Sequence, residues 1–292
     1  MGQGFGPAAE LPLGATNNAP PMNPLIHLAL AEDIDSGDVT TQATVPADRS
    51  AKGVFLTRET LTLAGTQLLH EIYQIRGGVA NLEIHHKDGE TLPPNTVIAT
   101  VRGKAHTLLE CERTALNFLQ RLSGVATLAH AFVERVAHTK CRILDTRKTT
   151  PGFRTLEKAA ARAGGVTNHR MGLYDAILIK NNHIAAAGGV TQAITAARAA
   201  STLPIEIEVR TPDELDEALA AHADHLLLDK LSPREAKNWI ALINKRAKVE
   251  LSGGITLDTV RDYADTGADF ISVGAITHSA PAMDISFRLE LL

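Results

Sequence analysis

Only two cysteines, Cys111 and Cys141, occur in 292 residues, and no paired spacing links them. A disulfide framework and a cysteine zinc site are therefore set aside, and a reducing, cytoplasmic setting fits. The chain lacks any apolar run near the roughly 20 residues a membrane-spanning helix needs. It also lacks excess positive charge: the net charge is -4 and the pI about 6.3, so no global field draws it to nucleic acid or an anionic membrane. Residues 1–24 have neither the charged start nor the apolar core of a signal peptide, and Gly6 stands where a myristoylation pattern wants Ser or Thr. They read as a flexible tail.

What is present is a composition that is 44% hydrophobic, ample for a core, in a chain long enough for a large α/β domain with a smaller companion. From about residue 140, apolar runs ("RILDT", "AILIK", "PIEIEVR", "HLLLDK", "KVELSGGI", "DFISVGAI") alternate with helical patterns. Strands apolar on both faces imply a parallel sheet covered by helices. Polar residues close nearly every strand: Arg147 and Lys148, Lys180, Glu208, Asp229, Ser252, Gly274. An open sheet gathers ligands at one switch point, whereas a barrel brings all its strand ends to one mouth, so an incomplete α/β barrel of six or seven strands is expected. Before residue 107 the texture is that of an α+β sandwich domain, with a helix near 66 to 76. The expected division is a tail over 1–24, an α+β domain with linking helices over 25–138, and the barrel over 139–282. Residues 283–292 alternate like a strand that returns to the first domain.

Positive charge is concentrated in one stretch. Residues 142–180 carry eight Lys or Arg against three Asp or Glu, a local +5, while the rest of the chain carries -9. Lys158 and Arg162, four apart on a helix, read as a solvated face. Arg147, Lys148, Arg170 and Lys180 would meet at the barrel mouth, where cations converging in a low-dielectric cleft repel unless a polyanion sits between them. Arg grips carboxylates or phosphates with two parallel bonds, and Lys supplies a point charge. His169, beside Arg170, is a candidate donor to an anionic ring substrate. Glu208 and Asp229 close successive strands and suggest a Mg2+ site bridging to substrate oxygens. Glu206 is assigned by strand alternation to the face opposite Glu208 and left out of the site. "LSGGI" and "SVGAI" place Ser252, Gly253, Gly254 and Gly274 where backbone N–H groups can approach a phosphate.

The stretches "LAEDIDSGDVTT", "ERTALNFLQRLSGVAT", "DTRKTTPGFR", "AGGVTNHRMGLYDAILIKNNHI", "IEIEVRTPDEL", "LLLDK", "ELSGGI" and "ISVGAITHSAPAMDIS" resemble the quinolinate phosphoribosyltransferase family over nearly the whole chain beyond the tail. The resemblance implies a dimer or larger even assembly that joins quinolinate to phosphoribosyl pyrophosphate, giving nicotinate mononucleotide, pyrophosphate and CO2. It implies a cationic clamp on the two quinolinate carboxylates made of Arg147, His169, Arg170, Lys180 and Arg113 reaching across from the neighbouring subunit. It implies Lys148 for the pyrophosphate, Glu208 and Asp229 for Mg2+ and the ribose hydroxyls, and Ser252, Gly253, Gly254 and Gly274 for the 5-phosphate. Two departures stand out: Lys230 and Leu231 follow Asp229 where the family usually has Asn-Met or a similar pair, and Leu251 stands where smaller residues are common. Lys230 is expected to weaken Mg2+ binding or to pair with Glu208. Rival readings are a molybdenum-transport-associated paralogue on the same scaffold, a Schiff-base phosphosugar lyase using Lys180, and a silent anion-binding protein.

Overall fold

In the computed structural model, which describes residues 23–292, Asn23 opens the first helix. Its side chain accepts a hydrogen bond from the Leu25 N–H, and Pro24 takes the first helical position, where a missing N–H costs nothing. The tail expected over residues 1–24 thus lies outside the described residues except for this cap. Helix α1 (Pro24–Ile34) leads to α2 (Val39–Thr44), capped by Asp38, and then to β1 (Ser50–Thr57), β2 (Leu61–Thr62), α3 (Leu68–Ile75), β3 (Asn81–Ile84), β4 (Thr91–Leu92) and β5 (Val97–Lys104). β1 pairs antiparallel with β5, β5 with β3, and the C-terminal segment Ile285–Leu291 with the other edge of β1.

Helix α4 (Ala105–Val136) follows directly; its 32 residues span roughly 48 Å. Its contacts run from α1, α3 and the antiparallel sheet to the barrel elements, so one rigid element ties both halves together. The chain returning to the C-terminal strand crosses α4 at Gly124, where an added Cβ would lie 1.8 Å from the Pro281 carbonyl oxygen. Close approach of two backbones is the reason for glycine here. Beside that crossing, Met283 N–H donates to the Gln120 carbonyl at 3.0 Å and Gln120 Nε2 to the Ile285 carbonyl at 2.8 Å.

Beyond α4 the alternation expected from the sequence appears as β6 (Arg142–Leu144), α5 (Arg154–Ala163), β7 (Ile177–Ile179), α6 (Asn181–Ala187), α7 (Val190–Ala200), β8 (Ile205–Val209), α8 (Pro212–Ala220), β9 (His225–Asp229), α9 (Pro233–Ile243), β10 (Lys248–Ser252), α10 (Val260–Ala264), β11 (Phe270–Ser272), α11 (Ala275–His278) and finally β12 (Ile285–Leu291). The six inner strands, all parallel, lie in the order β6-β11-β10-β9-β8-β7. The first strand therefore sits beside the last and the others follow in chain order, a cyclic arrangement with one break between β6 and β7. At that break the segment before β7 bridges β6 through Leu144 and Thr167. This is an incomplete α/β barrel with an N-terminal α+β domain. Among the described residues no helix is long and apolar enough to cross a membrane.

Candidate active site

The end of β6 is fixed before any ligand arrives. Asp145 is fully buried and pairs with Lys158 on α5, which is only 1% exposed. The same carboxylate accepts from Asn168 Nδ2 at 2.6 Å and from the His169 N–H at 2.8 Å. Burial pushes the Asp145 pKa up and that of Lys158 down, and each charge offsets the other. Lys158 is therefore not part of a solvated face. Of the expected pair only Arg162 is exposed, because α5 turns Lys158 into the barrel wall.

The loop after Asp145 is tied from two sides. Thr150 donates to Glu157 through its N–H at 3.0 Å and its hydroxyl at 2.8 Å, and Arg121 of α4 reaches the same buried carboxylate at 2.6 Å. The Thr277 hydroxyl donates to the Lys148 carbonyl at 2.7 Å, and Phe153 stacks on Phe118 with ring centroids 5.5 Å apart. Arg154 joins this loop to the next, donating to Thr149 Oγ1 at 3.1 Å and to the Met171 carbonyl at 3.2 Å. That second loop is turned by Asp175, which accepts the Met171 and Gly172 N–H groups at 2.7 and 3.0 Å. Sequence reasoning passed over Arg121, Glu157 and Arg154, whose signal is long-range pairing rather than spacing.

These ties hold Arg147 and Arg170 close enough for each to feel the other's charge. The Nε of Arg147 is buried without an acceptor. Arg170 feels burial first and the Arg147 charge second, and both pull its pKa down. A buried guanidinium edge left unpaired is costly unless an anion completes it. Lys148 is exposed, its chain lying 3.0 Å from where a Cβ on Gly274 would stand, so glycine leaves room for the lysine. Lys180 opens α6 with its Nζ 3.4 Å from Glu208.

Residues two apart on a strand share a face, so Glu206 and Glu208 point the same way, into the barrel, and the assignment of Glu206 to the opposite face does not hold. What separates them is depth. Glu206 is in register with His225, Glu208 with Leu227 one layer nearer the mouth, and Asp229 with Ser252 one layer nearer still. Glu208, paired with Lys180 at 3.4 Å, and Asp229 offer carboxylate oxygens on neighbouring strands, a donor set that suits a hard divalent ion completed by substrate oxygens. Lys230 does not pair with Glu208. It stands in the left-handed region at φ 60°, its N–H on the Ser252 carbonyl at 2.8 Å. A Cβ on Gly253, itself at φ 99°, would come within 2.6 to 2.8 Å of Lys230 and Asp229. Glycine is obligatory at that turn, and Gly254 follows it at φ 69°.

Deeper in the barrel, His169 faces two carboxylates: its Nε2 lies 3.2 Å from Glu206 and 3.6 Å from Glu250, with His225 3.9 Å from each acid. Burial works against charge on the His169 ring, the two carboxylates outweigh it, and the pKa is raised to about 10. The Nδ1 accepts the Arg170 N–H at 2.7 Å. An accepting Nδ1 needs the neutral ring with its proton on Nε2, whereas the two carboxylates favour the cation; Nε2 is protonated in either form. His169, Glu206 and Glu250 have the composition of a metal site. A nitrogen that carries the proton has no lone pair for a metal, so the group does not fit one. The imidazole thus has protein partners at both nitrogens.

Arg113 is exposed on α4, without a hydrogen bond or ion pair among the described residues. It lies eight residues before Arg121, about 12 Å along the helix axis toward the antiparallel domain.

Two family models match: the quinolinate phosphoribosyl transferase N-terminal domain over residues 38–123 and its C-terminal domain over residues 125–288. The chain is 41% identical over 273 residues to the nicotinate-nucleotide pyrophosphorylase [carboxylating] of Mycobacterium leprae (strain TN), covering 90% of this chain and 95% of the relative. It is 38% identical over 299 residues to the chloroplastic protein of the same name from Oryza sativa subsp. japonica, covering 93% and 80%. Among solved structures, the nicotinate-nucleotide pyrophosphorylase from Francisella tularensis superposes with a TM-score of 0.89 at 38% identity, covering 94% of this chain and 98% of that one.

Proposed function

This chain belongs to the quinolinate phosphoribosyltransferase family, and on that premise we propose how its own residues transfer the phosphoribosyl group of phosphoribosyl pyrophosphate to quinolinate, in de novo NAD biosynthesis. The observation that carries the proposal is the pair Arg147 and Arg170, the first with a buried Nε lacking an acceptor, the second with its pKa lowered by burial and by the Arg147 charge. A planar dianion such as quinolinate supplies the missing charge and the paired oxygens that guanidinium groups grip best. Lys180 and Arg113 of the partner subunit complete the clamp in a homodimer or larger even assembly. The two buried, unpaired thiols, their pKa values pushed up to about 12 by burial, suit a reducing cytoplasm.

With the ring fixed, its nitrogen attacks the ribosyl carbon as the bond to pyrophosphate breaks. Lys148 balances charge on the departing pyrophosphate, while Glu208 and Asp229 face the positive charge that develops on the sugar. Ser252, Gly253, Gly254 and Gly274 leave backbone room for the 5-phosphate. Glu208 and Asp229 are also the residues that would hold Mg2+, which supplies charge neutralisation for pyrophosphate oxygens when bound. Quaternising the nitrogen makes the adjacent carboxylate a leaving group: its carbon departs as CO2, the electron pair stays on the ring carbon beside the positive nitrogen, and a proton from solvent completes nicotinate mononucleotide. No dedicated base is needed, so positioning and charge do the catalysis. Lys180 suits a Schiff base poorly, since its amine is half-exposed and lies 3.4 Å from Glu208 rather than in an apolar pocket.

Incubation with quinolinate, phosphoribosyl pyrophosphate and Mg2+ should release CO2 and nicotinate mononucleotide in equal amounts. A folded sample that forms neither overturns the reading. Arg113→Ala and Lys180→Ala chains, each nearly inactive, should regain partial activity when mixed, because a heterodimer contains one intact site. Demonstrated heterodimers without activity would rule out a role for Arg113 across the interface.

A further inference from the structure

Arg154 stands where local electrostatics disfavour it. It is the first residue of α5, at the positive end of the helix dipole, where an acidic side chain is favoured and a cation is not. Lys158, one turn further on, feels its charge as a repulsion. Among the described residues no carboxylate lies within ion-pair distance of Arg154; its three nitrogens donate instead to neutral oxygens. A half-buried guanidinium held this way is not there to balance charge.

What it does is join two segments. Nε donates to Thr149 Oγ1 at 3.1 Å and Nη2 to the Arg147 carbonyl at 3.4 Å, both on the segment after β6. Nη1 donates to the Met171 carbonyl at 3.2 Å, on the segment before β7. One acceptor is thus the backbone of Arg147 itself, and another directly follows Arg170. These segments flank the one break in the barrel, between β6 and β7, where no ladder of strand hydrogen bonds sets their separation. Asp145 ties them at their base by accepting the His169 N–H at 2.8 Å. Beyond that base, among the described residues, no hydrogen bond other than those of Arg154 links 147–149 to 170–172.

We infer that Arg154 is a positioning residue: it sets the separation of Arg147 and Arg170 across the break in the barrel, and so fits that pair to a ligand with carboxylates on adjacent ring atoms. The inference rests on the functional reading above for the identity of the substrate. Its planar fork is what spans the three acceptors, a reach that the single nitrogen of a lysine lacks. Lys148 is held separately, its N–H on Thr146 Oγ1 at 3.0 Å and its carbonyl on the Thr277 hydroxyl at 2.7 Å. The pyrophosphate side is therefore spared when Arg154 is lost.

The test uses the full chain with Arg154→Ala and Arg154→Lys, and calorimetric binding of benzene-1,2-dicarboxylate beside benzoate. The first ligand has both carboxylates and no ring nitrogen to react; the second has one carboxylate and cannot sense the spacing. Arg154→Ala should weaken the dicarboxylate roughly ten-fold and benzoate less than about two-fold. Arg154→Lys keeps the charge without the fork and should lie within about three-fold of Arg154→Ala. In turnover the KM for quinolinate should rise roughly ten-fold in both variants, with the KM for phosphoribosyl pyrophosphate within about two-fold of wild type. If Arg154→Ala does not fold, Arg154→Lys decides by the same readouts. Dicarboxylate binding restored by Lys would show that charge alone matters, equal losses for both ligands would show general damage, and no loss would show that the spacing is set elsewhere; each overturns the inference. A wild type that binds the dicarboxylate but turns over no quinolinate counts against the substrate reading alone, whereas one that does not bind it overturns both.

Discussion

The barrel mouth and the barrel interior hold opposite charge imbalances, and they resolve them in opposite ways. At the mouth, Arg147 has a buried Nε without an acceptor and both arginines are only partly buried, so the missing anion can come from outside. In the interior, Glu206 and Glu250 are buried close together, with the imidazoles of His169 and His225 beside them. An imbalance open to solvent is a place for a ligand, whereas a sealed one has to be balanced by the fold itself.

The contrast is broken most severely at the mouth. Arg170→Ala should lower kcat/KM for quinolinate about 10³-fold, roughly 4 kcal/mol of transition-state binding, with Tm nearly unchanged. A loss confined to stability would mean that the mouth, too, is balanced internally. Next comes the wall between the two regions: Asp145→Ala strands a buried lysine and should cost about 3–5 kcal/mol in denaturant unfolding. Adding Lys158→Met should recover most of that loss, since an apolar side chain of similar length needs no partner.

A smaller effect belongs to the turn that carries Arg170. Burial pushes the Asp175 carboxyl up, but hydrogen bonds from the Gly172 and Met171 N–H groups outweigh it and hold its pKa below the ordinary value of 3.8. A depressed carboxyl stabilises the fold above its unfolded pKa and loses that contribution as pH falls through the folded value. Asp175→Asn should therefore raise the quinolinate KM several-fold, about 1 kcal/mol, at neutral pH. In acid unfolding, its difference from wild type should fade below about pH 4. The smallest expected change is a gain: Lys230→Asn, at φ 60°, should add roughly 0.5–1 kcal/mol by Tm, because Asn tolerates the left-handed region better. No gain would show that the Lys230 side chain makes up for its backbone strain.

Much of this was legible in the sequence. Strand-helix alternation, the polar strand ends and the glycines after β10 are local signals of period and turn chemistry, and the barrel and its mouth follow from them. The pairing of Asp145 with Lys158 was not legible: Lys158 and Arg162 look alike on a helix, and only the wall against which α5 packs distinguishes buried from exposed. Glu206 was misplaced by a slip in alternation, and even correct alternation gives its face without its depth.

By itself the sequence determined which residues stand at strand ends, because periodicity and turn formers act over a few neighbours. It also set the charge concentrated between residues 142 and 180 and the family those motifs belong to. Tertiary structure alone decided which charges meet. Curling six strands into a barrel brings Glu206, Glu250 and His169 together across long sequence separations, and leaves Arg147 with a buried nitrogen and no acceptor. Burial and pairing depend on register and on what packs behind each strand, and no local pattern encodes either.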